Sequence, residues 1–152
     1  MGDPASLAGV DPASARVRRF LVAAAVICVL GALLRVFVYA ANLSLWLDEA
    51  LLSLNLIRRG PRELLDPLWW DQGAPPLFLL AERSAVQILG EGEWALRLLP
   101  LLAGLASLPL FAVLARRVLG SGPFALFAIA LFALSVPLAR YAAEVKQYGL
   151  DV

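Results

Sequence analysis

The sequence predicts an all-α integral membrane protein, with three transmembrane helices and an outer loop that carries interfacial amphipathic helices. Three observations predict it. Hydrophobic residues make up 61% of the 152 and charged residues only 16%, whereas a soluble domain coats itself with roughly 25% charged residues. The mean hydropathy is +0.80. The apolar residues also gather in long runs, and arginine clusters punctuate those runs.

Residues 1–19 form a tail of small residues and prolines that ends in Arg16, Arg18 and Arg19. Residues 20–41 follow as a first transmembrane helix, interrupted only by Arg35. About 20 apolar residues carry a helix across a bilayer core. A signal peptide is the alternative, because Val38-Tyr39-Ala40 has the look of a cleavage site. The apolar spans further along favour a retained anchor.

A second span is expected over residues 95–115, closed by Arg116 and Arg117, and a third over 122–139. The turn at 116–121 leads into Gly122-Pro123 and has the glycines and proline of a tight helix connection. Basic residues favour the cytoplasmic side, so both arginine clusters belong inside. The first span then runs outward, the second inward and the third outward. Residues 42–94 and 140–152 share the outer face. The chain stops as a fourth span would begin, so it reads as the N-terminal piece of a larger protein.

In the outer loop, Leu47, Ala50, Leu51, Leu54 and Ile57 recur at intervals of 3 and 4, and Asp48, Asn55 and Arg59 share another face. That pattern predicts an amphipathic interfacial helix over about 46–59, ended by Gly60-Pro61. Residues 75–90 are apolar but short, with Glu82-Arg83 at the centre. Charges at mid-bilayer cost ~2.5–3.5 kcal/mol each, so this helix is expected to lie in or dip into the interface. Glu82 and Arg83 are expected to satisfy one another or face water. Trp69, Trp70 and Trp94 fall where aromatic belts sit.

The chemistry available is restricted. With no histidine and a single cysteine, imidazole catalysis, an internal disulfide and a thiolate zinc site are all excluded from this segment; Cys28 is expected to be packing. A net charge of +1 points to no nucleic-acid partner. The Asp48-Glu49 pair follows the first span. One carboxylate can accept a proton from an attacking hydroxyl, and either can ligate a divalent cation. Equally, Asp48 can be an N-cap and Glu49 a first-turn residue that complements the helix dipole.

A second cluster spans residues 140–148, where Tyr141, Glu144 and Tyr148 would share one helical face and Arg140 and Lys146 add positive charge. It can hold a phosphate or a sugar ring, or it can be an interfacial anchor with a Glu144–Arg140 pair. Arg35 is expected to snorkel outward. Arg97 opens the second span on the outer side and needs a partner, either Glu93 or a ligand phosphate. Asp48, Glu49, Arg97 and Glu144 are far apart in sequence, yet the topology puts all four at one membrane face. That arrangement suits a substrate with an anionic head and a lipid tail.

Five pieces in order carry a resemblance: Trp46-Leu47-Asp48-Glu49-Ala50; Pro75-Pro76-Leu77-Phe78; Gly92-Glu93-Trp94-Ala95-Leu96-Arg97; a span closed by Ala115-Arg116-Arg117; and Ser135-Val136-Pro137 leading to Tyr141-Ala142-Ala143-Glu144-Val145-Lys146-Gln147-Tyr148. Over about residues 18–152 the chain resembles the N-terminal part of the C-type glycosyltransferases, in particular the protein mannosyltransferase and aminoarabinose transferase group. The resemblance implies an all-helical membrane enzyme that takes a sugar from a polyprenyl-phosphate carrier to an acceptor hydroxyl on a lipid, glycan or protein at the outer face. It implies Asp48 as the acidic group that activates the acceptor, with Glu49 its usual neighbour. Arg97 corresponds to the arginine opening the next span, and Glu144 to the glutamate of the second outer loop.

Lys146 stands where the family often has arginine. It keeps the charge without the bidentate fork. Lys146 and Tyr148 complete the expected phosphate-binding set with Arg97 and Glu144. The sequence points to no definite cofactor, and a divalent metal on Asp48 stays open. The competing reading is a non-catalytic membrane scaffold or a transporter fragment, although a transporter places its ionisable groups near the midplane. The Ala-, Leu- and Arg-rich composition points to a GC-rich bacterial source, the arginine clusters put the N-terminus on the inner side of a cytoplasmic membrane, and the resemblance implies an active face outside. The 152 residues alone are expected to be inactive.

Overall fold

The computed structural model describes residues 12–42 and 44–146, and among them there are helices and loops but no strand. The first helix, α1, runs Pro12–Ala40. It starts well before residue 20, because proline suits the first helical position and the Ala-Ser-Ala-Arg run behind it contains no breaker. The arginines expected in a tail therefore sit on the helix. At 1.5 Å per residue, the 29 residues of α1 span roughly 43 Å.

The segment between α1 and the next long helix holds α2 (Leu47–Arg58), 3₁₀ turns at Glu63–Leu65 and Trp69–Asp71, α3 (Pro76–Leu89) and the short α4 (Glu93–Leu96). Both amphipathic helices expected there are present, within a residue or so of their predicted bounds. Then follow α5 (Leu98–Leu119), α6 (Pro123–Ala133) and α7 (Val136–Tyr141). Two stretches, Ala13–Ala40 and Glu93–Leu119, are long and apolar enough to cross a membrane. Only 17% and 28% of their most apolar windows are buried, the reverse of a soluble core helix. Phe37 is 72% exposed and Leu110 69%, a surface that fits lipid better than water.

The third apolar segment is not the continuous helix predicted over 122–139. It breaks after Ala133, at Leu134-Ser135. Pro137 explains the break, since it has no N–H for the carbonyl four residues back and its ring clashes with that carbonyl. That carbonyl belongs to Ala133. Arg35 Nη1 donates to it at 2.9 Å and to Gly31 O at 3.1 Å, with the Arg35 guanidinium 5.9 Å from the Phe132 ring. Arg35 is 1% exposed, so it does not snorkel. It supplies the donor that Pro137 lacks.

α1, α5 and α6 pack on one another, and small residues permit the close approach. A Cβ on Gly31 would lie 2.7 Å from Ala133 O, and one on Gly104 would lie 2.5 Å from Ala142 Cβ. Phe20, Ala24, Ala115, Ala125 and Ile129 form the core of one end of this bundle. A separate core of Leu52, Leu56, Leu64, Phe78, Leu79, Val86, Leu96 and Val145 joins α2, α3 and α4 to the segment after α7.

Glu82 and Arg83 do not pair. Arg83 Nη1 donates to the carbonyls of Leu56 (2.9 Å) and Ile57 (3.1 Å), which satisfies the C-terminal end of α2. Glu82 is fully buried, and neither of its oxygens has a hydrogen-bond partner.

Candidate functional site

The site begins at the start of α2. Trp46, not Asp48, occupies the N-cap position. Glu49 is the third residue of the helix, and its Oε2 accepts the Trp46 N–H at 3.3 Å. This is the reciprocal half of a capping box. The hook turns the Glu49 side chain inward, where it is 2% exposed. Its Oε1 accepts the Val145 N–H at 2.8 Å, and its Oε2 pairs with Arg97 Nη2 at 3.5 Å. Three distant pieces of chain thus meet on one carboxylate: the loop after α1, the junction of α4 and α5, and the segment beyond α7.

Arg97 is placed by the break between α4 and α5, where it caps one and begins the other. Its partner is Glu49, not the Glu93 expected from proximity. Its Nη1 donates to Asn42 Oδ1 at 3.3 Å, and it is 3% exposed. Nearby, Tyr39 OH donates to Trp94 O at 2.8 Å, and the two rings meet edge to face at 4.9 Å. These contacts tie the end of α1 to the start of α4.

Glu49 and Arg97 form the floor of a cavity of about 400 Å³, whose walls include Trp46, Arg140 and Glu144. The Arg140 side chain is exposed, and its guanidinium makes no hydrogen bond or ion pair with a described residue. It and Glu144 also border a smaller cavity of about 230 Å³ beside Pro137 and Tyr141. Burial pushes the Glu144 carboxyl above the usual carboxylate range; the Glu49 charge adds to this, and Arg97 and Arg140 pull the other way.

Of the residues expected to act together, Glu49, Arg97 and Glu144 converge on one cavity. Asp48 is beside it in sequence but is not among its lining residues; it is half-buried and makes no hydrogen bond with a described residue. Lys146 is buried and donates to Gln72 Oε1 at 2.9 Å, away from the cavity wall. The helix expected over 140–148 ends at Tyr141, and residues 142–146 are turns. Tyr148 lies outside the described residues. Among those described, no three Cys, His, Asp or Glu side chains converge as a metal-ligand set, so they do not make up a divalent-cation site by themselves.

Sequence reasoning missed Asn42, Arg140 as a cavity residue, and the Val145 N–H. Asn42 carried a signal, since asparagine tolerates the positive φ (41°) that turns the chain out of α1. The Val145 amide carried none, because every residue but proline has one. No family model, no curated protein and no solved structure matches this chain.

Proposed function

We propose that this chain is part of a membrane glycosyltransferase that moves a sugar from a polyprenyl-phosphate carrier to an acceptor hydroxyl on the outer face of a bacterial cytoplasmic membrane. The observation that carries the reading is the convergence of Glu49, Arg97, Arg140 and Glu144 on one cavity at the end of a helical bundle with an apolar exterior. The five-piece resemblance supports it independently. In this reading α1 runs outward and α5 inward, and α6 with α7 forms a kinked third span. α2 and α3 lie along the outer interface.

The two neighbouring carboxylates divide the work. Glu49 has both oxygens engaged, which suits a positioning role. Asp48 has both oxygens free of described partners and suits proton transfer. The acceptor oxygen attacks the anomeric carbon and its proton passes to Asp48. The bond from the anomeric carbon to the phosphate oxygen breaks, and the polyprenyl phosphate leaves with the electron pair. Arg140 and Arg97 stabilise the charge that develops on it.

The test is Asp48→Asn in the full-length protein. Transfer from a polyprenyl-phosphate sugar should be abolished, with the protein still expressed in the membrane. Turnover near the wild-type rate would remove Asp48 from the mechanism.

A further inference from the structure

At the other end of the bundle, roughly 30 Å along α1 from the Glu49 cavity, lies a second opening. It is a cleft of about 810 Å³ between the start of α1 and the turn into α6. Arg16 and Arg19 stand on its rim, and Phe20, Ala23, Pro123 and Leu126 line it. Both arginines are exposed and neither has an ion pair or hydrogen bond to a described residue. Every described Asp or Glu lies between residues 48 and 93 or at 144, so this end has arginines and no described acid.

A preference for basic residues on one side of a membrane explains why arginines gather here. It does not explain why two of them border an apolar cleft. Residues three apart on a helix share a face, which puts Arg16 and Arg19 together. Arg18 lies about 200° round the helix from Arg16 and is not among the lining residues. Guanidinium groups match phosphate geometry, and the apolar wall beneath them matches an acyl chain. Basic clefts between membrane helices bind anionic lipid headgroups in this way.

We infer that the cleft between Arg16, Arg19 and the α5–α6 turn is a binding site for an anionic phospholipid, with the headgroup phosphate on the two guanidiniums and an acyl chain against Phe20 and Leu126. The site is separate from the Glu49 cavity and does not depend on the transfer reaction.

The experiment is native mass spectrometry of the full chain extracted from mixed micelles of dioleoyl phosphatidylglycerol and dioleoyl phosphatidylcholine. Wild type should retain phosphatidylglycerol in preference to phosphatidylcholine. Arg16→Ala/Arg19→Ala should weaken that retention about thirtyfold. Arg18→Ala/Arg117→Ala removes the same charge and should retain the lipid as wild type does. Equal loss in both double variants would mean a diffuse surface charge and overturn the site. Equal retention of the two lipids would overturn headgroup recognition. Displacement of the lipid by millimolar inorganic phosphate would make it a site for soluble anions and overturn the lipid assignment.

Discussion

Glu49 on α2 and Glu82 on α3 are 2% and 0% exposed, and they meet burial in opposite ways. Glu49 is surrounded by the Arg97 guanidinium and two backbone N–H groups. Glu82 has no partner for either oxygen, and burial pushes its carboxyl up to about 8. Burial by itself favours the neutral acid; a cation and donors supply what water would have given. The partnered carboxylate can hold a charge where three chain segments meet, whereas the unpartnered one is a neutral acid at neutral pH. The site is built on the first kind.

Removing the cation should have the largest effect. Arg97→Met leaves Glu49 buried without its counter-charge and should cost about 3–5 kcal/mol. The loss should appear in detergent unfolding followed by tryptophan fluorescence. Glu49→Met/Arg97→Met should recover most of that loss, because an apolar pair leaves no charge behind. A double variant as unstable as Arg97→Met alone would break the contrast between the two glutamates.

A smaller effect is expected one contact away. Gly104 lets α5 approach Ala142, where a Cβ would come within 2.5 Å of the Ala142 side chain. Gly104→Val should cost about 1–3 kcal/mol by overpacking and push residues 142–146 outward. The Val145 N–H then leaves Glu49, so Gly104→Val and Glu49→Gln should be non-additive. Strict additivity would show that Val145 contributes nothing to holding Glu49.

The smallest effect at acid pH belongs to Glu82→Gln. Near pH 4.5 the acid is protonated in the folded chain and half so in the unfolded one, and an isosteric amide should change stability by under about 1 kcal/mol. The sign of the pH dependence follows from the raised value. From the ordinary 4.5 up to about 8 the unfolded state loses its proton while the folded state keeps it, so wild-type stability falls as pH rises, by up to roughly 1.4 kcal/mol per unit. Above about 8 the loss is complete. Glu82→Gln should lack this slope between pH 5 and 8. A wild-type slope retained in the variant would mean that another group titrates.

Much of the fold is legible in the sequence because its signals are local. Runs of apolar residues closed by Arg116-Arg117, the 3-and-4 spacing over 47–57 and the Gly-Pro stops mark α2, α3 and α5 within a few residues, and α1 at its C-terminal end only. The third apolar segment reads as one continuous helix in the sequence, yet Pro137 breaks it. The weight of its apolar composition hid the backbone consequence of one ring. The site was half legible. Glu49, Arg97 and Glu144 were expected at one face from topology alone, and they share a cavity. Topology puts Asp48 with them and the resemblance adds Lys146, and neither lines that cavity.

By itself the sequence determined where most of the helices lie, which stretches suit lipid, and which carboxylates and cations lie near one another along the chain. Those properties depend on neighbours within a turn or two, where periodicity and composition act directly. Only the tertiary structure decided that Glu49 takes Arg97 as its partner while Glu93 does not. It also decided that Arg35 donates to the carbonyl freed by Pro137, and that Glu82 has no partner at all. Each of these is a choice among donors and acceptors brought together from segments up to 98 residues apart. Hydrogen bonds are satisfied by distance and angle in space, and spacing along a chain does not carry that information.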